Sequence, residues 1–204
     1  MTAGPPGVDR DSPDRYAWVA ALEGSATDVV AAWRSIEEGA QTSVRREVRR
    51  RAGAGTAESN AGQLAALADA LAEVVGGLAD AELQLDGGEG GWTVAQAVGH
   101  ACDARAGLCL AAAKAAAGTW PIDAPGVVQG IAGPADADRA TLVRKIAQSQ
   151  RIVERSARTV AGHETEPCPL DHPTVGRLLC GEWLLFAGVH DLLHLEQLHD
   201  ITGR

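Results

Sequence analysis

Three histidines stand among leucines near the end of the chain, in the stretch VHDLLHLEQLHD of residues 189–200. At about 100 degrees of rotation per residue, His190 and His194 share one helix face with Trp183, whereas His199 lies on the opposite side. Two imidazoles one turn apart can chelate a single metal ion. The spacing therefore makes this inward face a candidate metal site and gives His199 an ordinary structural role.

A third ligand is needed, and His100 is the natural candidate. Its segment reads WTVAQAVGHACDAR, in which Thr93 and Gln96 form a capping box that predicts a helix from about residue 94. Burying three unpaired histidines against apolar walls is costly, and a shared metal would offset that cost. In the alternative interpretation, each histidine bonds a backbone carbonyl or a carboxylate such as Asp103 or Glu182. The spacing alone leaves both interpretations open.

The composition predicts an all-α protein. The 204 residues are 46% hydrophobic and only 3% aromatic, and much of the apolar content is alanine, which favours closely packed helices. The formal net charge of -9 argues against nucleic acid or an anionic membrane as a partner. The first residues lack the pattern of a signal peptide, and no apolar run reaches membrane-spanning length. We therefore expect a cytoplasmic protein with a small-molecule partner.

Hydrophobic periodicity divides the chain into two parts. Residues 1–55 are predicted to form a helical N-terminal extension and residues 56–204 a four-helix bundle, with a linker over 52–60 that spans the boundary between them. A passage rich in glycine and proline forms one long crossover between the second and third helices of the bundle. The predicted long helices cover residues 64–78, 94–117, 142–160 and about 180–201.

The last helix also has a second apolar stripe on its back, formed by Leu184, Leu185, Leu192 and Leu195. A stripe of this kind must be covered. Either the N-terminal helices or a second subunit would cover it. The first is favoured, and a homodimer is expected in either case.

Two segments, GWTVAQAVGHACDA and HPTVGRLLCGEWLLFAGVHDLLHLEQL, resemble the DinB-like family of four-helix-bundle metalloproteins. The resemblance covers roughly residues 60–202. It implies that His100, His190 and His194 hold a divalent ion, zinc or nickel first and iron as a further option. Leu179 departs from the threonine that related sequences often place at the start of the last helix, which weakens the cap but leaves the ligand set intact.

The resemblance also implies a class of reaction. Family members with assigned activities include thiol-dependent S-transferases and a mycothiol-dependent maleylpyruvate isomerase. The alanine, glycine and arginine content is typical of a high-GC actinobacterial genome, in which mycothiol is the relevant thiol. We therefore expect a metal-dependent enzyme that activates mycothiol, as cosubstrate, for attack on a small electrophile. A metal-dependent hydrolase that activates water and a non-catalytic, metal-stabilised binding or stress protein are the alternatives.

Other side chains are expected to line this site or to orient its ligands, although none is assigned a catalytic role. Four lie on the predicted histidine faces or one turn away, and a fifth lies in the loop before the last helix. Asp103 could orient a ligand imidazole. The set is Asp103, Gln96, Trp183, Gln197 and His172.

Overall fold

The computed structural model describes residues 16–37, 41–88 and 91–203. Within this part the protein is all-α, as predicted, with seven helices and a short 3-10 turn at Glu82–Gln84. The helices are α1 (Ala17–Ala20), α2 (Thr27–Glu37), α3 (Gln41–Ala52), α4 (Ala57–Gly77), α5 (Val94–Ala116), α6 (Arg139–Val160) and α7 (Cys180–Thr202).

Helices α4 to α7 pack against one another as a four-helix bundle, and local capping chemistry sets where they begin. The capping box predicted for α5 is present, with the Thr93 side chain accepting a hydrogen bond from the Gln96 N–H. Thr56 caps α4 in the same way through Ser59, so the linker is shorter than the predicted 52–60. Leu179 offers no side-chain acceptor to α7; there the Glu182 carboxylate accepts the Leu179 N–H at 2.8 Å.

The N-terminal helices α2 and α3 lie against the back of α7. Gly188 permits the close approach, because a Cβ atom at this position would lie 2.8 Å from a methyl group of Val29. Nearby, the rings of Trp18 and His199 stack with their centroids 4.6 Å apart. The predicted apolar stripe is covered in this way, with all four leucines fully buried: Leu184, Leu185, Leu192 and Leu195.

The described part of the N-terminal extension shares one hydrophobic core with the bundle. Residues 1–15 of the extension lie outside the described residues. The division of the chain into two domains and the homodimer both stay predictions. No helix in the described ranges is long and apolar enough to cross a membrane.

The crossover between α5 and α6 is pressed onto α5 at one point. Gly133 donates its N–H to the carbonyl of Gln96 at 3.0 Å. A Cβ atom on Gly99 would lie 2.9 Å from the Cα atom of Gly133, so the two backbones approach more closely than any other residue type allows. This contact fixes the crossover directly beside His100.

Candidate metal centre

The structure brings together three histidines from two helices of the bundle. His100 comes from α5, and His190 and His194 come from successive turns of α7. The ring centroid of His100 lies 5.3 Å from that of His190 and 5.2 Å from that of His194, and the two α7 rings are 4.6 Å apart. One ligand nitrogen from each histidine lies within 4.8 Å of the other two. The cluster has the size and donor set to hold one ion.

The crossover fixes which nitrogen of His100 is free. The Nδ1 atom lies 2.8 Å from the backbone carbonyl oxygen of Ile131. A carbonyl oxygen can only accept a hydrogen bond, so Nδ1 must carry the proton. The lone pair of Nε2 remains for a metal ion, in the arrangement by which protein backbones commonly orient ligand imidazoles.

A side-chain amide fixes His194 in the same way. Gln197 donates from Nε2 to the carbonyl of Gly87, which determines the orientation of its amide group. Its Oε1 atom then faces Nδ1 of His194 at 2.8 Å, so Nδ1 must donate. With Nδ1 as the donor, Nε2 is the acceptor nitrogen of the buried His194 ring.

His190 supplies the strongest sign that the cluster is built for an ion. Its buried Nδ1 atom has no hydrogen-bond partner among the residues that the structure describes. Burial, reinforced by the neighbouring His194, His100 and His172, holds the pKa of His190 well below its ordinary value. A buried imidazole nitrogen without a hydrogen-bond partner is costly in a protein interior, and coordination of the ring to a metal ion would offset that cost. The residues present therefore fit a divalent ion.

Two of the residues predicted to support the site are engaged elsewhere. The Asp103 carboxylate is exposed and pairs with Lys145 of α6 at 2.7 Å, so it does not orient an imidazole. Gln96 accepts a hydrogen bond from the Thr93 N–H at 3.0 Å and closes the capping box of α5. Its side chain thus stabilises the helix start instead of facing the histidines.

The other three predicted residues lie closer to the cluster. Gln197 bonds His194, as described above, and lines the cavity beside the histidines. His172 lines the same cavity; its Nδ1 accepts the Thr174 N–H at 3.1 Å, so Nε2 carries the proton, and burial lowers its pKa. Trp183 is fully buried and packs against Phe186, with centroids 5.9 Å apart. It is a core residue that supports this wall from behind.

Sequence reasoning missed three contributors to the site. One is Trp92, which precedes α5 and whose ring centroid lies 4.9 Å from that of His100. The carbonyl groups of Ile131 and Gly87 are the other two. A tryptophan eight residues before a histidine was visible in the sequence, whereas backbone carbonyls carry no signal in the residue pattern.

Two cavities meet at His100. The first, here called the polar cavity, has a volume of about 710 Å³ and includes all three histidines and His172 in its wall. The second, here called the apolar cavity, has a volume of about 350 Å³ and lies between α5 and the crossover. Both volumes are within the range of small-molecule sites. His100 therefore stands where two small molecules could meet.

Comparison with known proteins agrees with this geometry. The family model of the DinB superfamily matches residues 63–198, which is more than half of the chain and includes His100, His190 and His194. Searches of the curated proteins and of the solved structures gave no match. The protein belongs to the DinB superfamily.

Proposed function

We propose that the protein is a metal-dependent thiol S-transferase that joins a low-molecular-weight thiol, mycothiol first, to a small electrophile. The observation that carries the proposal is the three-histidine cluster: Nδ1 donates a hydrogen bond in His100 and in His194, so that Nε2 is the acceptor nitrogen of each ring, and His190 has a buried nitrogen without a hydrogen-bond partner among the described residues. Zinc is the first choice of ion, since three histidines with an open position are typical of its catalytic sites. When bound, such an ion supplies Lewis-acid activation that lowers the pKa of a thiol.

The protein's own cysteines cannot serve as the nucleophile. All four cysteines are buried. Burial raises the pKa of Cys102, Cys109 and Cys180 to about 12, and raises that of Cys168 as well. They remain protonated and inert at neutral pH. An S-transfer reaction at this site therefore takes its sulfur from a thiol that enters from solution.

The polar cavity suits a hydroxyl-rich thiol such as mycothiol. Its wall offers the side chains of Gln129 and Thr174 and the protonated Nε2 of His172, in addition to the histidine cluster. In the reaction the thiol loses its proton to solvent, its sulfur forms a bond to the electrophilic carbon, and the leaving group departs with the bonding electrons. The role of the protein is to hold the two molecules together at His100.

The hydrolase alternative has less support. A hydrolase of this kind would use a carboxylate base beside the open coordination position to activate water. Among the described residues, the histidine cluster itself includes no carboxylate, and the acids that line the polar cavity are Glu196 and Asp200, further along α7 than all of the ligand histidines of that helix. Turnover of an ester or amide in the absence of added thiol would favour the hydrolase over the transferase.

Metal content and thiol dependence test the proposal together. The untagged protein is compared with His194→Ala and with His163→Ala, a control histidine that is exposed in the loop after α6. Mass spectrometry is expected to find a single zinc, nickel or iron ion per chain in the wild type and the control, and none in His194→Ala. The loaded protein should then consume mycothiol with an electrophile such as monobromobimane. A wild-type protein that refuses added metal, or that shows no thiol-dependent turnover, would overturn the proposal.

A further inference from the structure

The apolar cavity has a floor formed by one face of α5. His100, Gly107, Ala111 and Lys114 follow one another at helical spacing along this face, and all four line the cavity. The 14 residue steps from His100 to Lys114 correspond to about 21 Å of helix at 1.5 Å per step. The cavity is therefore elongated, with His100 at one end and Lys114 at the other.

The rim of this cavity is unusually apolar for a protein surface. Leu110 is 45% exposed, Val127 51% and Ile131 66%, and all three line the cavity. They account for half of the large hydrophobic side chains that are exposed in the described part of the chain. Exposed apolar side chains gathered around one cavity are typical of a binding site for an apolar ligand.

Among the described residues of the cavity wall, Lys114 is the one lysine or arginine. Its ammonium group makes no ion pair or hydrogen bond with any residue that the structure describes. The acid in the same wall, Asp103, is already paired with Lys145 at 2.7 Å. An unpaired cation at the end of an apolar cavity is complementary to a ligand with an apolar body and a negative end.

We propose that the apolar cavity binds the electrophilic substrate, and that this substrate is an apolar carboxylic acid. Its carboxylate pairs with Lys114, its body lies along Gly107 and Ala111, and its reacting end reaches His100. The thiol occupies the polar cavity, on the other side of the same histidine. This inference rests on the proposed function for the reaction, but the binding itself depends only on the cavity and its lysine.

Binding of a matched acid and alcohol tests the inference by calorimetry. The probes are phenylhexanoate and phenylhexanol, which share an apolar body and differ in charge. We expect the wild type to bind the acid about tenfold more tightly than the alcohol, because one charge-assisted hydrogen bond to Lys114 provides a difference in affinity of about this size. Lys114→Met, which keeps an apolar stem, should bind both probes equally, and Lys114→Arg should keep the preference. Arg151→Met, a control that removes an exposed positive charge from α6, should bind as the wild type does.

A second variant tests the location of the bound probe. Gly107 lines the cavity and nothing lies within 4 Å of a Cβ atom built on it, so we expect Gly107→Leu to keep the helix and to extend its side chain into the cavity. It should weaken the binding of both probes at least tenfold while helicity is unchanged. Equal affinity of the wild type for the two probes, an equal loss of both in Lys114→Met, or unchanged binding in Gly107→Leu would overturn the inference.

The same titrations on zinc-loaded and metal-stripped protein separate this inference from the proposed function. Acid binding that persists without metal, in a protein that shows no thiol-dependent turnover, would support the cavity assignment and overturn the transferase. Metal-dependent turnover without any preference for the acid would support the transferase and overturn the cavity assignment.

Discussion

The Nδ1 atom of His194 lies 2.8 Å from the Oε1 atom of Gln197, one turn further along α7. The same amide donates from Nε2 to the carbonyl of Gly87, in the loop that leads into α5. The relay runs from the loop through the amide to the imidazole, and each hydrogen bond has only one permissible direction. Gln197 therefore determines both the orientation and the tautomer of His194.

Replacing Gln197 by leucine should lower the metal affinity of the protein about ten- to a hundredfold, the usual effect of removing a group that orients a ligand. The helical content should be unchanged, because Gln197 is only partly buried near the end of α7. Competition with a chromophoric chelator measures the affinity. Gln148→Leu, on the exposed face of α6, is the control. Equal affinities in the two variants would show that the relay does not support the site.

The contact between Gly99 and Gly133 leads to a second prediction. A Cβ atom on Gly99 would lie 2.9 Å from the Gly133 Cα atom, so Gly99→Ala must push the crossover away from α5. The displaced backbone would carry the Ile131 carbonyl away from His100. Overpacking of this kind costs about 1–3 kcal/mol in the free energy of unfolding. Metal affinity should fall in the same variant.

Gly107→Ala is the matched control on the same helix, since a Cβ atom there has nothing within 4 Å. This change should raise the free energy of unfolding by about 0.5–1 kcal/mol through helix propensity. Urea unfolding of the two variants gives the comparison. A loss of stability in Gly107→Ala as large as that in Gly99→Ala would contradict a specific role for the crossover contact.

These two contacts also show where prediction from the sequence stops. The helices of the bundle were predictable because each carries a local sequence signal. These signals are the helical period of the hydrophobic residues and capping residues such as Thr93 and Gln96. The period also placed His190 and His194 on one face. The hydrophobic residues of the crossover follow no helical or strand period. For this reason neither the Gly99–Gly133 contact nor the hydrogen bond from His100 to the Ile131 carbonyl could be inferred from the sequence.

Asp103 illustrates a different limit. Helical geometry correctly puts it one turn from His100, but its carboxylate turns to Lys145 on α6. The position of a lysine on a neighbouring helix depends on how the two helices pack, and nothing in the sequence of α5 records this. The angular position of a residue on its own helix shows which neighbours its side chain can reach. The packing of the four helices determines which of these neighbours it contacts.

A buried ion pair joins the four helices of the bundle. The Nε atom of Arg105 on α5 lies 3.2 Å from the Asp191 carboxylate on α7, and both side chains are at most 1% exposed. The same guanidinium donates to the carbonyl of Leu64 on α4 and to the side chain of Gln150 on α6, each at 2.8 Å. One cation thus contacts every helix of the bundle.

Removing one member of this ion pair should lower the free energy of unfolding far more than removing both members. Arg105→Met leaves the Asp191 carboxylate buried and unpaired, and should lower the free energy of unfolding by about 3–5 kcal/mol. Adding Asp191→Leu should recover most of that loss, because no buried charge then remains. Denaturant unfolding of the double-mutant cycle provides the measurement, with the exposed Arg158→Met as control. Additive losses would show that the two charges are not coupled.

The histidine cluster should make the metal-free protein less stable in mild acid. The pKa of His190 lies well below 6.5 in the folded protein, chiefly because of burial. Below that pH the unfolded chain takes up a proton that the folded chain refuses, so the free energy of unfolding falls as the pH decreases. The contribution of neutral His190 to the free energy of unfolding is thus fully present above pH 6.5 and is lost progressively below it.

Asp191 acts in the opposite direction and has to be separated from this effect. Burial raises its pKa from 3.8 to about 6, so its protonation stabilises the fold at low pH, and that stability is lost as the pH rises through about 6. His190→Gln keeps Asp191 and removes only the histidine. In excess EDTA, the wild type should therefore lose more stability than His190→Gln between pH 7.5 and pH 5, as measured by urea unfolding. Parallel pH profiles would mean that His190 titrates normally, and its cost of burial could then not be the reason for expecting a bound ion.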